Sequence, residues 1–162
     1  MMRTRAIPLV LAVCLMMTHA VHAARAAELR PFQRGSFAGI LADNAGKPTV
    51  VNFWSITCPP CLAEMPQWRT LAEDHPEVGL VLVSTDSFDD EARIQRVLGR
   101  HGLDNIGSWV FAEAHKTRLR YEIDKTWRGE LPRTYLITAN GEIEARSGMI
   151  SHEDLNEWLE QK

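Results

Sequence analysis

The chain has 162 residues, of which 45% are hydrophobic and 24% charged, and this size and composition predict a single globular domain. Its 18 lysines and arginines against 21 aspartates and glutamates give a net charge of −3 at pH 7. A mildly acidic chain has no electrostatic attraction to nucleic acid or to an anionic membrane surface. The composition therefore argues against both of these partners.

Residues 1–23 have the pattern of a secretory signal peptide. Two arginines precede an apolar run over residues 7–17, and small residues follow at two cleavage registers, after Ala23 or after Ala26. The apolar run is shorter than the roughly 20 residues of a membrane-spanning helix, although an uncleaved membrane anchor is the alternative interpretation. We therefore expect an exported mature domain over residues 27–162.

Export also bears on the cysteines. Cys14 lies in the signal segment, so the mature chain keeps only Cys58 and Cys61. One close pair does not make a disulfide-stapled scaffold, and so small a ring restrains little chain entropy. A chemical role for the two cysteines therefore explains the pair better than a contribution to the stability of the fold does.

Hydrophobic patterning predicts alternating strands and helices along the mature chain. In chain order, the predicted elements are an extended segment (27–35), a short helix beginning at Ser36, a strand (49–55), a helix (59–74), a strand (79–84), a helix (89–102), a short strand (107–111), a short helix (114–121), two hairpin strands (134–138 and 142–146) and a last helix after Ser151.

Capping and turn residues set several of these boundaries. Ser36 is predicted to cap the first helix, and Ser151 with Asp154 predicts a capping box for the last one. Pro66 should kink the helix over residues 59–74. Asn140-Gly141 predicts a tight hairpin turn.

The order of the elements predicts an α/β fold. Strands that alternate with helices give parallel pairs, and the late hairpin gives antiparallel pairs. We therefore expect a mixed central β-sheet with helices on both faces.

The segment Trp54-Ser55-Ile56-Thr57-Cys58-Pro59-Pro60-Cys61 connects the first buried strand to the longest predicted helix. Two thiols at this spacing on the first turn of a helix can close a small disulfide ring and reopen it. A strand that delivers such a pair to a helix N-terminus is typical of a thioredoxin-like redox site.

With these features the chain resembles the thioredoxin superfamily, and more closely the exported TlpA/ResA/DsbE-type thiol-disulfide oxidoreductases. The resemblance extends from about residue 36 to the C-terminus. Its marks are Phe53-Trp54, Cys58-Pro59-Pro60-Cys61, Glu64, Pro66, Leu131-Pro132 and the hairpin over residues 138–142. It implies a thioredoxin-like three-layer sandwich, a periplasmic location and an enzyme that exchanges disulfides with protein cysteines.

The position of each cysteine predicts its role. Cys58 lies at the helix N-terminus, where free N–H groups and the helix dipole favour the thiolate that attacks a disulfide. Cys61 lies one turn inward and is predicted to resolve the mixed disulfide. An inert buried pair and a soft-metal site are the alternatives, but no neighbouring His or Cys in the sequence completes a tetrahedral zinc set.

The dipeptide between the cysteines is expected to tune their reduction potential. Pro59 and Pro60 carry neither a positive charge nor a side-chain donor to stabilise the thiolate. This composition favours a reducing couple over an oxidising one.

Glu64 is the candidate proton acceptor for Cys61. Thioredoxins place an aspartate on the strand before the cysteines, but this chain has Asn52 there, which cannot titrate. ResA-like proteins carry an active-site glutamate at the position of Glu64, one helical turn after Cys61. Burial would raise its pKa and suit it to this role, whereas a solvated first-turn glutamate is the alternative.

The resemblance assigns further residues to substrate contact. It implies a cis peptide bond before Pro132, with the backbone at Leu131 pairing with the bound chain and Arg133 beside it. Thr57 replaces the tryptophan usually found before the first cysteine. With Pro59 and Pro60 it is predicted to contact substrate, and these three residues form the predicted rim around Cys58.

Two tryptophans have alternative interpretations. Trp54 is expected either beneath the site or as an ordinary core aromatic. Trp127, next to Arg128, is expected to contact substrate or to anchor a polar loop to the core.

The leading hypothesis is thus an exported thiol-disulfide oxidoreductase without a cofactor, kept reduced by a membrane electron donor of the DsbD/CcdA type and serving a process such as cytochrome c maturation. A periplasmic metal-binding or metal-delivery module is the non-enzymatic alternative. A peroxidase of the peroxiredoxin type is disfavoured, because Ser55 and Val51 stand where that class has threonine and proline.

Overall fold

The computed structural model describes residues 28–161, so the predicted signal peptide lies outside the described residues. Within residues 28–161, no helix combines the length and the apolar character needed to cross a membrane.

Twelve elements follow one another along this part of the chain. They are β1 (Arg30–Phe32), α1 (Ser36–Asp43), β2 (Thr49–Trp54), α2 (Pro59–Asp74), β3 (Gly79–Ser84), a 3-10 turn (Phe88–Asp90), α3 (Glu91–Arg100), β4 (Ser108–Phe111), α4 (Lys116–Ile123), β5 (Arg133–Ile137), β6 (Ile143–Ser147) and α5 (His152–Gln161).

The six strands form one mixed sheet in the order β1-β4-β3-β2-β5-β6. The pairs β1–β4, β4–β3 and β3–β2 are parallel, whereas β2–β5 and β5–β6 are antiparallel. The predicted mixed sheet is therefore confirmed, with the cysteine-bearing connection leaving a central strand. Every residue of β2 is buried, as its continuous apolar sequence predicted.

Two hydrophobic clusters cover the two faces of the sheet. Alternate residues of β2 divide between them, with Val50 and Trp54 in one cluster and Val51 and Phe53 in the other. Helices α2, α3 and α5 pack in the first cluster, and α1 and α4 in the second. This arrangement is the predicted three-layer sandwich, and the cluster of α2 contains Cys61.

One predicted cap is confirmed and one is wrong. Asp154 N–H donates to Ser151 Oγ at 3.0 Å, which caps α5 as expected. Ser36 does not cap α1, because the N-cap residue is Gly35 at φ 82° and the Ser36 hydroxyl accepts instead from Gln33 N–H at 2.9 Å. A positive φ at this turn suits glycine, and the N-cap position therefore lies one residue before Ser36.

Candidate active site

The turn between β2 and α2 places Cys58 as the N-cap residue of α2. Its backbone is extended, and its carbonyl accepts the N–H of Leu62 at 3.1 Å to close the first helical turn. The helix can start at once with two prolines, because the N–H groups of the first positions have no intrahelical partner.

A disulfide joins Cys58 to Cys61, with Cα atoms 5.3 Å apart. Cys61 is 1% exposed and packs in the cluster beneath α2, whereas Cys58 is only partly buried. A partner sulfur can therefore approach Cys58 but not Cys61. This asymmetry agrees with attack by Cys58 and resolution by Cys61.

Cys58 Sγ accepts a hydrogen bond from the backbone N–H of Cys61 at 3.3 Å. An N-cap side chain usually accepts from the second or third helical residue. Here the second residue is Pro60, which has no N–H, and Pro59 before it has none either. Of the first three helix positions, Cys61 is therefore the only one with an amide to offer to Cys58.

Glu64 is buried, with 4% of its surface exposed, on the same face of α2 as Cys61. Its Oε1 accepts the backbone N–H of Ile150 at 2.7 Å, and its Oε2 accepts from Asn52 Nδ2 at 3.4 Å. Desolvation by burial raises the pKa of Glu64 to about 7, against the opposing hydrogen bonds from Ile150, Trp68 and Asn52. The predicted raised pKa is therefore present in the structure.

Asn52 connects Glu64 to the neighbouring strand. Its Nδ2 also donates to Thr134 Oγ1 at 2.9 Å, across the β2–β5 pairing. Among residues 28–161, the buried Asn52 Oδ1 has no hydrogen-bond partner. The carboxyl of Glu64 thus lies among buried polar groups of β2 and β5.

The Leu131–Pro132 peptide bond is cis, as the resemblance implied. Phe53 pairs with Arg133, the first residue of β5, so Pro132 lies just before β5, beside the carboxyl end of β2 from which the cysteine turn leaves. The carbonyl of Pro132 accepts the N–H of Gly148 at 2.9 Å, and Leu131 is half-buried against both hydrophobic clusters. Leu131 and Cys58 are both partly buried and pack against the first cluster.

Arg133, which is predicted to flank the bound substrate, has a buried side chain. Arg133 is 8% exposed, and its guanidinium bonds the carboxylate of Asp124 and donates to Ser147 Oγ at 2.7 Å. The hydrogen bond from the Thr126 hydroxyl holds the pKa of Asp124 below its ordinary value, and Arg133 adds a smaller effect in the same direction. Side chains alternate along β5, so Arg133 points away from the face that carries Thr134 and the cysteine helix.

Trp127, for which substrate contact and a loop anchor are the two interpretations, has a buried side chain. It is 4% exposed, its ring centroid lies 4.9 Å from that of Phe53, and its indole N–H donates to the Glu130 carbonyl at 2.9 Å. Trp127 therefore anchors its loop to the core on the face opposite the cysteines, which was the alternative interpretation.

The remaining predicted rim residues are accessible. Thr57, Pro59 and Pro60 are exposed around Cys58. Trp54 is 1% exposed and belongs to the same cluster as Cys61, so it is both a core aromatic and a packing partner beneath the site.

Asp86, which follows β3, is not among the site residues predicted from the sequence. Its carboxylate accepts from Ser55 Oγ at 2.8 Å and from the N–H of Ile56 at 2.9 Å, in the turn that leads to Cys58. The available signal was its place: β3 is parallel to β2, so residues just beyond their carboxyl ends meet at one edge of the sheet.

Fold and site together define a thioredoxin-like thiol-disulfide oxidoreductase: a mixed sheet with helices on both faces, and a cysteine pair at the N-terminus of a helix that packs on the sheet. The chain belongs to the AhpC/TSA family, whose model matches residues 34–146.

Individual relatives agree with this class. The chain is 30% identical over 128 residues to sporulation thiol-disulfide oxidoreductase A of Bacillus subtilis (strain 168), covering 73% of this chain and 70% of that protein. It is 31% identical over 121 residues to the thiol-disulfide oxidoreductase ResA of Halalkalibacterium halodurans, covering 74% of this chain and 65% of that protein.

A solved structure shows the same fold. The crystal structure of StoA from Bacillus subtilis superposes with a TM-score of 0.55 at 26% identity, covering 73% of this chain and 86% of that one.

Proposed function

We propose that this protein is an exported thiol-disulfide oxidoreductase that reduces disulfides in other proteins through Cys58-Pro59-Pro60-Cys61. The observation that carries the proposal is the asymmetry of the pair: Cys58 is accessible at the helix N-cap, and Cys61 is buried next to a carboxyl whose pKa is raised to about 7.

The exchange proceeds in two steps. The Cys58 thiolate attacks one sulfur of the substrate disulfide, so that a mixed disulfide forms and the other substrate sulfur leaves as a thiolate. Cys61 then gives its proton to Glu64 and attacks Cys58 Sγ, which releases the second substrate sulfur. The substrate gains two electrons, and the enzyme is left with the Cys58–Cys61 disulfide.

The helix N-terminus supports the reducing direction. A thiolate at Cys58 receives one amide hydrogen bond, from Cys61, because Pro59 and Pro60 have no N–H. A weakly stabilised thiolate makes the dithiol form less favourable relative to the disulfide form, so the dithiol enzyme gives up its two electrons readily. Potentials in this class extend from about −270 mV for thioredoxin to about −120 mV for DsbA, and a value above about −150 mV would contradict this direction.

The cellular setting follows from the N-terminal segment. The signal peptide over residues 1–23, with a second cleavage register after Ala26, would deliver the domain to the periplasm. There it would receive electrons from a membrane thiol donor of the DsbD/CcdA type and pass them to proteins such as those of cytochrome c maturation.

Insulin reduction by the dithiol form tests the activity. The wild-type protein should accelerate reduction by dithiothreitol, Cys58→Ser should abolish the acceleration, and Cys61→Ser should accumulate mixed disulfides with envelope proteins. Retained acceleration in Cys58→Ser would contradict the proposal. Stoichiometric copper or zinc on the purified protein, without insulin reduction, would favour the metal-binding module instead.

The same purified protein can be tested for peroxidase activity, which is the alternative enzymatic function. Ser55 stands where peroxiredoxins have threonine, but its hydroxyl donates to Asp86 at 2.8 Å and is engaged away from the sulfur. We expect consumption of hydrogen peroxide no faster than that by free dithiothreitol. Rapid consumption that depends on Cys58 would assign the chain to the peroxidases.

A further inference from the structure

Strands β2 and β3 end side by side, and this places Asp86 against the turn that carries Cys58. Trp54 pairs with Ser84, and Thr85 N–H donates to the Trp54 carbonyl at 2.9 Å. The residues that follow the two strands therefore meet at one edge of the sheet.

The Asp86 carboxylate accepts three hydrogen bonds there. Oδ1 accepts from Ser55 Oγ at 2.8 Å, and Oδ2 accepts from Ile56 N–H at 2.9 Å and from Ser84 Oγ at 2.7 Å. The Asp86 N–H donates back to Ser84 Oγ at 3.1 Å, which fixes the carboxylate itself. Hydrogen bonds to an ionised acceptor are the stronger kind.

Ser55 extends this hold to Cys58. Its Oγ accepts Thr57 N–H at 3.1 Å, and its carbonyl accepts Cys58 N–H at 3.1 Å. The three successive amides of Ile56, Thr57 and Cys58 are thus bound to Asp86 or to a residue that Asp86 holds. All three of these backbone N–H groups are therefore engaged in hydrogen bonds within the turn or to Asp86.

We propose that Asp86 is a positioning residue for Cys58: it clamps the Ser55–Thr57 turn so that the sulfur stays on the Cys61 amide at the helix N-cap. The inference rests on the proposed function only in taking Cys58 as the reactive thiol. Since that sulfur has a single amide donor in the first turn, a small displacement removes the contact that stabilises its thiolate.

A positioning role and a purely electrostatic role of Asp86 predict opposite changes in the Cys58 pKa when Asp86 is removed. If Asp86 acted only through its charge, removing it would lower the pKa of the Cys58 thiol, because a nearby anion opposes thiolate formation. If it positions Cys58, removing it raises that pKa. Ser55→Ala separates the two further, since this variant keeps the carboxylate and loses a link of the clamp.

The experiment measures iodoacetamide alkylation of the reduced full-length protein against pH, with peptide mass spectrometry to identify the alkylated cysteine. We expect Asp86→Ala to raise the Cys58 pKa by about one unit, which is a tenfold loss of thiolate below that pKa, and Asp86→Asn and Ser55→Ala to shift it in the same direction by less. Asp90→Asn is the matched control, because it removes a carboxylate paired with exposed Arg93 nearby and should leave the pKa unchanged.

A lowered or unchanged Cys58 pKa in the Asp86 variants would overturn the proposal. If the urea midpoint fell while the Cys58 pKa did not rise, Asp86 would contribute to stability only and would not position Cys58. Should Asp86→Ala not fold, Asp86→Asn and Ser55→Ala decide by the same criterion. Alkylation of the wild-type protein at Cys61 in place of Cys58 would instead refute the proposed function.

Discussion

The backbone N–H of Ile150 donates a 2.7 Å hydrogen bond to Glu64 Oε1, which joins the loop after β6 to the helix that carries both cysteines. Gln67, one turn further along α2, donates to the Ile150 carbonyl at 3.3 Å. Two residues earlier, Gly148 N–H donates to Pro132. One short loop therefore connects the buried carboxyl to the cis-proline segment. Ionisation of Glu64 strengthens the hydrogen bond from Ile150 N–H, which holds this loop against α2.

The first prediction concerns stability against pH. The pKa of Glu64 is raised from 4.5 to about 7 in the folded protein, so the folded state binds more protons than the unfolded state between these values. The free energy of unfolding should therefore fall as pH rises through this window, by up to about 3 kcal/mol from this group. Urea unfolding of the disulfide form measures it, because the cysteines do not titrate there.

Glu64→Gln should remove this component of the pH dependence and be more stable than wild type at pH 8. Glu73→Gln is the control, since Glu73 lies exposed on the same helix in an ion pair with Arg69. A wild-type slope that persists in Glu64→Gln would assign the effect to another group.

The second prediction concerns the chemical step. At pH 7 about half of Glu64 is ionised and able to accept the Cys61 proton, given its raised pKa. Glu64→Gln should slow resolution of a Cys58–glutathione mixed disulfide by about a hundredfold, with little effect on its formation. Quenched-flow mass spectrometry follows both steps, and the wild-type rate should rise through pH 7. Equal resolution rates would remove Glu64 from the mechanism.

The third prediction tests the contact between Asn52 and Glu64. Asn52→Asp places a second carboxyl beside Oε2, where the amide now lies at 3.4 Å. Two buried carboxyls at this distance share a proton, so the higher of the two apparent pKa values should exceed the wild-type value of about 7. Carbon-detected NMR titration measures it. Thr134→Val is the control, because it removes the other partner of Asn52 without adding a charge.

Much of the fold was predictable because its signals are local. The bounds of α2 and β3 match the sequence patterns, since a proline start and a glycine start mark them. Cys58, Cys61 and Glu64 follow one another at three-residue spacing over the first two turns of α2, and spacing alone predicts their proximity.

The parts that sequence reasoning missed depend on contacts between distant segments. Arg133 bonds Asp124 and Ser147, and the choice of sheet face that separates it from the cysteines is set by the register of β5 on β2. Asp86 bonds Ser55 from 31 positions away. Neither contact follows from the strand or helix periodicity of the sequence, so the ion pair of Arg133 and the hydrogen bonds of Asp86 went unpredicted for the same physical reason.

The last prediction concerns Pro60. As the second residue of α2 it occupies a position whose N–H normally reaches the N-cap side chain, and Pro60→Ala restores that donor to Cys58. The Cys58 pKa should fall by about one unit, and tenfold better thiolate stabilisation corresponds to a rise of about 30 mV in potential. Alkylation against pH and glutathione equilibration measure the two quantities. Pro76→Ala, in the loop beyond the far end of the same helix, should change neither. If Pro60→Ala leaves both values at wild type, the missing amide does not explain a reducing couple.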